Sequence, residues 1–200
     1  MTQATNVRKV DGLVTRGERA KRNGHVGSVI WLTGLSGAGK STLAIRAERS
    51  LVDLGWQALV LDGDNLRMGL NSDLGFSEED RVENIRRAGE VAALFAAAGH
   101  IAIAAFISPY RRDRHCARAC AERSATFHEV FLNAPLETCE QRDVKGLYKR
   151  ARSGELPNFT GITAPYEVPL SPDLVIETAT AGIDACVARL MSHVLDWCAA

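Results

Sequence analysis

Residues 29–41 read Val29-Ile30-Trp31-Leu32-Thr33-Gly34-Leu35-Ser36-Gly37-Ala38-Gly39-Lys40-Ser41. An apolar run ends in the pattern G-x-x-x-x-G-K-S. Behind it Leu43, Ala47, Leu51 and Leu54 recur on one helical stripe, and Gly55 stands where a helix would end. Strand, glycine-rich loop and helix in that order form a phosphate cradle. The glycines let the backbone turn so that its N–H groups point inward at phosphate oxygens. Lys40 is placed to reach the β- and γ-phosphates, and the Ser41 hydroxyl to ligate Mg²⁺. The expected ligand is a nucleoside triphosphate, held by Gly34, Leu35, Ser36, Gly37, Ala38, Gly39, Lys40, Ser41 and Thr42.

Outward from that stretch, strands and helices alternate. Val29–Thr33 is the first strand and Lys40–Leu54 the first long helix. Trp56–Leu61 is a second strand, apolar enough to be covered on both faces. Ser77, with Asp80 three residues on, reads as the N-cap of a helix running to about Ala98. Ile101–Ile107 is a third strand. Ser108-Pro109 suits an N-cap and first helical position, with the helix running to Arg123. Phe127–Leu132, a short helix over Asn133–Gln141, Leu174–Ile176 and a helix striped by Ile183, Val187, Leu190, Val194 and Trp197 complete the order. The pattern predicts an α/β fold: a three-layer sandwich whose five-stranded parallel sheet carries helices on both faces. Residues 1–26 form a polar N-terminal arm, basic at Arg8, Lys9, Arg16, Arg19, Lys21 and Arg22, read as a solvated arm or short helix, or as a subunit contact. Residues 27–200 form one domain. Its stretch of about 142–172 lacks a clear period and is expected to be a lid.

Composition narrows the functional classes. The 200 residues are 46% hydrophobic and 24% charged with zero formal net charge, so no global basic field points to nucleic acid or an anionic membrane. The first twenty residues lack an apolar core of the secretory kind. The most apolar stretch, Val91–Phe106, is broken by Gly99 and His100, which argues against a membrane span. Five cysteines, none in C-x-x-C spacing, suit a reduced cytoplasmic protein. Cys116 and Cys120 could share a helix face as two ligands, but no further ligand accompanies them, and plain thiols are the simpler reading.

Ligands in such sheets bind beyond the carboxyl ends of the strands. After the second strand comes Asp62-Gly63-Asp64-Asn65-Leu66-Arg67, whose two carboxylates suit Mg²⁺ with its waters and a base for an attacking hydroxyl, or a simple polar turn. Arg67, Arg81 and Asn84 could grip a sulfate or phosphate. Phe76 and Phe159, both in loop segments, could stack on a base or merely anchor their loops. Arg142, Lys145, Lys149, Arg150 and Arg152 make the lid basic, as closure over transferring phosphates requires.

Taken together, these segments resemble the adenylylsulfate kinases. The resemblance rests on Gly34–Leu43, Leu61–Arg67, Gly75-Phe76-Ser77 with Arg81, Asn84, Ile85 and Arg86, then Phe106–Arg111, Lys145–Tyr148, Asn158–Ile162 and Pro165-Tyr166-Glu167. It implies a P-loop kinase that uses ATP and Mg²⁺ to phosphorylate the 3′-hydroxyl of adenosine 5′-phosphosulfate. It further implies that Asp64, Arg67, Phe76, Arg81, Asn84, Ile107, Ser108, Lys145, Gly146, Leu147 and Phe159 meet the sulfated nucleotide, Phe76 and Phe159 on the two faces of adenine. Lys40, Asp62, Asp64 and Ser108 are the catalytic candidates, Ser41 and Asp62 the metal candidates, and Arg142 a nucleotide contact. Ser108 either carries a phosphoryl intermediate or caps a helix and touches substrate. A homodimer, with an ATP sulfurylase as a possible partner, is also implied. The sequence departs from the family pattern at Thr163, where an acidic residue is usual, and at Val168. Two rival readings are a kinase for another hydroxyl substrate, with no use for the phenylalanine pair, and a nucleotide switch, against which no Asn-Lys-x-Asp motif occurs.

Overall fold

The computed structural model describes residues 7, 8, 10, 12–143 and 145–200; Lys9 of the basic N-terminal run lies outside them. In chain order the elements are α1 (Arg16–Asn23), β1 (Ser28–Thr33), α2 (Lys40–Asp53), β2 (Ala58–Asp62), α3 (Gly63–Arg67), α4 (Glu78–Ala97), β3 (Ile101–Ala105), α5 (Arg111–Ala121), β4 (Thr126–Asn133), α6 (Leu136–Arg142), α7 (Leu147–Arg152), β5 (Leu174–Glu177) and α8 (Ile183–Trp197). The five strands pair in the order β2-β3-β1-β4-β5, all parallel. β1 therefore sits at the centre, wholly buried.

Alternation along the strands divides the core in two. Ile30 and Leu32 of β1, with Ile101 and Ile103 of β3, face α2 and α8. Val29, Trp31, Ala102 and Ala104 face α4 and α5. Two covered faces explain why β1 and β3 read as unbroken apolar runs. On the second face small residues let the helices approach closely. A Cβ on Gly89 of α4 would lie 3.0 Å from Ala117 Cα of α5, so this helix pair depends on glycine there.

Several expectations need correction. β2 is an edge strand and only half-buried, not covered on both faces. Its exposed donors are met by side chains: Val60 N–H donates to Glu48 Oε1 at 2.8 Å, and the adjoining Gln57 N–H to His25 Nε2 at 2.9 Å. That is one way to blunt a sheet edge. β3 ends at Ala105 rather than Ile107, and α6 starts at Leu136, behind Pro135. The stretch after Asp143 is not structureless, since it contains α7. Before β1, α1 carries a capping box from Thr15 and Glu18 and docks by Asn23 Nδ2 on Gly99 O at 3.0 Å. Among the described residues no helix is long and apolar enough to cross a membrane.

Candidate active site

The loop joining β1 to α2 is held by its carbonyls. The Lys40 ammonium donates to Gly34 O at 2.9 Å and Leu35 O at 2.8 Å. Tyr148 OH donates to Ser36 O at 2.8 Å, Arg142 to Gly37 O at 3.2 Å and Thr178 Oγ1 to Ala38 O at 2.9 Å. Five successive carbonyls are thus taken. The amides of Ser36, Gly37, Gly39, Lys40 and Ser41 have no acceptor among the described residues. A loop with its carbonyls engaged and its donors free is an anion cradle, and it opens the α2 N-terminus, where the helix dipole adds positive charge. Gly37 is needed for this path. Its φ is 76°, and a Cβ would stand 2.9 Å from Cys139 O.

Lys40 is buried, which pushes its ammonium down to about 8, with the nearby Cys139, Asp62 and Asp64 opposing only in part. Two of its donors are engaged, leaving one for a ligand. Ser41 Oγ donates to Asp62 Oδ2 at 2.6 Å, although the two lie on different elements. Asp62 also caps α3, accepting from Asp64 N–H at 2.9 Å. Among the described residues no group of three or more His, Cys, Asp or Glu could hold a metal ion. One hydroxyl and one carboxylate of hard oxygen character fit Mg²⁺, which keeps its waters and takes its other ligands from phosphates. Thr42 is exposed beside them.

Across the sheet's upper rim the other candidates gather. Lys145 forms an ion pair with Asp64, so the segment before α7 reaches the end of β2. Gly146 takes φ 65° as N-cap of α7, whose first residue is Leu147. The Arg81 guanidinium donates to Phe76 O at 3.0 Å, Thr160 Oγ1 at 2.7 Å and Asn158 O at 2.7 Å. One side chain therefore ties the turn carrying Phe76 to the loop carrying Phe159. Phe76 is 66% exposed, with the Arg67 guanidinium 4.5 Å from its ring centroid. Phe159 is half-buried and packs edge-on against Tyr148 at 5.0 Å. Arg67 donates to Leu74 O and Gly75 O at 3.0 and 2.8 Å, so both arginines fix backbone as well as lining the rim. Asn84 is buried on the Arg81 face of α4.

Ser108 does not cap a helix. It has φ 41°, two residues before the cap position at Tyr110, and the first α5 amide, Arg111 N–H, donates instead to Glu167 Oε2 at 2.8 Å. The Ser108 hydroxyl is buried, accepting from Trp31 Nε1 and donating to Thr33 Oγ1, both at 3.1 Å. Thr33 Oγ1 in turn donates to Ile107 O at 2.8 Å and lies 2.9 Å from Tyr166 OH. Trp31, Thr33, Tyr166 and Thr178 are thus supporting residues that strand-end motifs did not single out. Thr178 directly follows β5, so the rule applied to the other strands finds it too.

The chain matches the family model for adenylylsulphate kinase over residues 26–177. It is 57% identical over 191 residues to an adenylyl-sulfate kinase of Geotalea daltonii, covering 96% of this chain and 94% of that one. In fold it is similar to the Mycobacterium tuberculosis APS kinase CysC in complex with AMPPNP and APS, with TM-score 0.82 and 47% identity over 86% of this chain and 98% of that one. It is also similar to a hexameric APS kinase from Thiobacillus denitrificans, with TM-score 0.66 and 33% identity over 90% of this chain and 31% of that one.

Proposed function

The chain belongs to the adenylylsulphate kinase family, and from that membership we propose how its residues divide the work of the reaction. The enzyme transfers the γ-phosphoryl group of ATP to the ribose 3′-hydroxyl of adenosine 5′-phosphosulfate. The products are ADP and 3′-phosphoadenosine 5′-phosphosulfate. The new bond joins the 3′-oxygen to the γ-phosphorus, the bond from that phosphorus to the β–γ bridging oxygen breaks, and the hydroxyl proton must leave.

Such transfer is largely positioning and charge stabilisation. The free amides of the Gly34–Ser41 loop and the remaining Lys40 donor hold the β- and γ-phosphates. Arg142, already on Gly37 O and Thr178 O, adds positive charge at the same loop. Ser41 and Asp62 would hold Mg²⁺, which when bound would neutralise charge on the β- and γ-phosphates. Asp64, fixed by Lys145, orients the 3′-hydroxyl and takes its proton. Arg67, Arg81 and Asn84 receive the phosphosulfate, and Phe76 and Phe159 receive the adenine. Ile107, Ser108 and residues 145–147 complete that pocket, with Ser108 as a contact and not a phosphoryl carrier. The lid, about residues 142–172, closes over both substrates. The five free thiols fit a reducing cytoplasm. A homodimer is the assembly we propose, with an ATP sulfurylase as its metabolic neighbour.

The observation that carries the reading is the pairing of two sites on one rim: an amide cradle whose carbonyls are engaged and whose donors are free, and an arginine bracket that brings two phenylalanine segments together. ADP release measured with ATP and adenosine 5′-phosphosulfate, against a panel of nucleoside monophosphates and sugar acids, tests it. Turnover confined to the sulfated nucleotide is expected; equal turnover with another hydroxyl acceptor would overturn it.

A further inference from the structure

The turn between α3 and α4 holds one residue that the functional reading leaves unused. Met68, Gly69, Leu70, Ser72 and Asp73 are exposed, yet Asn71 among them is completely buried. Its backbone is fixed at both ends: Asn71 N–H donates to Leu66 O at 2.8 Å, and Asn71 O accepts from Leu74 N–H at 3.1 Å. Arg87 of α4 clamps the same turn through Leu70 O at 3.1 Å and an ion pair with Asp73 at 2.6 Å. The Asn71 side chain is therefore held where it points.

It points at Asn84. Asn71 Nδ2 donates to Asn84 Oδ1 at 3.0 Å, in a buried contact. The Asn71 Oδ1 that remains is sealed from solvent and has no partner among the described residues. An unpaired buried carbonyl is costly, and a leucine would fill this position without one. The asparagine does what leucine could not: it occupies the acceptor edge of the Asn84 carboxamide. Asn84 Nδ2 makes no bond to the described residues and is not among the sealed orphan atoms. With its oxygen held by Asn71, the Asn84 amide is oriented so that its Nδ2 donors are the groups left without a partner among the described residues.

We propose that Asn71 is a positioning residue for the acceptor substrate, locking the Asn84 amide so that its Nδ2 donates to an oxygen of the sulfated nucleotide. This rests on the reading of Asn84 as a substrate contact. Asn71 touches no substrate itself; it acts through Asn84, and the turn clamped by Arg87 is its mount.

The test compares wild type, Asn71→Leu, Asn71→Asp, Asn84→Ala and the Asn71→Leu/Asn84→Ala double variant in steady-state ADP release, with ATP and adenosine 5′-phosphosulfate varied separately. Asn71→Leu removes the orphan oxygen but leaves Asn84 Oδ1 without its donor, so the two effects offset and its melting temperature should change little. Its KM for the sulfated nucleotide should rise about five- to fiftyfold, with kcat and the KM for ATP nearly unchanged. Asn71→Asp offers only acceptors once ionised, forces the Asn84 amide to turn over, and should raise the same KM; it serves if the leucine variant fails to fold. The double variant should be no worse than Asn84→Ala, because the two changes remove one function. Normal KM in both Asn71 variants beside an impaired Asn84→Ala would overturn the inference alone, as would effects that multiply in the double variant. A normal Asn84→Ala would overturn it as well. Wild type inactive on the sulfated nucleotide would instead show that the functional reading had failed, and the inference with it.

Discussion

Replacing Arg81 by alanine should separate the two halves of the site. The guanidinium makes three hydrogen bonds, to Phe76 O, Thr160 Oγ1 and Asn158 O, at 3.0, 2.7 and 2.7 Å. Phe76 and Asn158 are exposed, so water can replace the arginine at their carbonyls at little cost. Thr160 is 1% exposed, and its hydroxyl would lose a charged donor that water cannot easily replace. One such buried group left short costs about 1–3 kcal/mol. For a chain of this size, each kcal/mol lowers the melting temperature by about 2–4 °C. The larger effect should fall on the acceptor. Without the bracket the Phe76 turn and the Phe159 loop are no longer tied, and a charge aimed at the anion is gone. The KM for adenosine 5′-phosphosulfate should rise about ten- to a hundredfold, equivalent to about 1.4–2.7 kcal/mol, while the KM for ATP moves less than about threefold. Arg81→Lys should not restore the acceptor KM, because one ammonium cannot reproduce a planar fork spanning three acceptors. Steady-state ADP release with each substrate varied in turn provides the measurement. Equal shifts in both KM values, or a lysine variant of normal affinity, would refute the reasoning.

Further outcomes follow from other groups. Lys40→Ala should cut kcat by about a hundred- to a thousandfold with an unchanged circular dichroism spectrum, and near-normal turnover would remove it from the phosphate site. Ser108→Ala should leave Trp31 Nε1 without its buried acceptor, lowering stability by about 1–3 kcal/mol, while turnover persists and no phosphoserine forms. A phosphopeptide containing residue 108, recovered from rapidly quenched enzyme, would contradict that. His25 is fully buried, and its Nε2 accepts from Gln57 N–H; burial lowers its folded pKa below the ordinary 6.5, as it does for His128. The unfolded chain therefore binds protons that the native one refuses. The stabilisation is present above about pH 6.5 and is lost as pH falls through 6.5 toward the lower folded values. Thermal melts should drop between pH 7.5 and 5.5, and His25→Gln should flatten part of that drop; an unchanged slope would exclude His25.

The β1–loop–α2 unit was legible because everything it needs is local: an apolar run, glycines at turn positions, Lys40-Ser41, and a helical stripe. The three-layer sandwich followed from alternation alone, but strand order did not. The run from Trp56 to Leu61 looks as central as β1, and only pairing shows β2 at the edge, its donors met by Glu48 and His25 from elsewhere in the chain. Ser108 misled for a similar reason. Ser-Pro is a good local helix start, yet Glu167, 56 residues beyond Arg111, supplies the acceptor that the helix uses, and the serine turns inward to Trp31 and Thr33. Motif reading singled out Arg67, Arg81, Phe76 and Phe159 without showing that both arginines also hold backbone carbonyls. The outward tethers of the phosphate loop from Tyr148 and Thr178 were beyond it too. Those contacts join residues more than a hundred positions apart, and no periodicity records them.

The most direct test is the identity of the product. ³¹P NMR of the enzyme incubated with ATP, Mg²⁺ and adenosine 5′-phosphosulfate should show one new phosphomonoester on the ribose 3′-oxygen, formed in step with ADP and with the phosphosulfate intact. Inorganic phosphate as the only new signal, or a phosphoryl group on any other oxygen, would contradict a cradle and an acceptor pocket that meet at the 3′-hydroxyl.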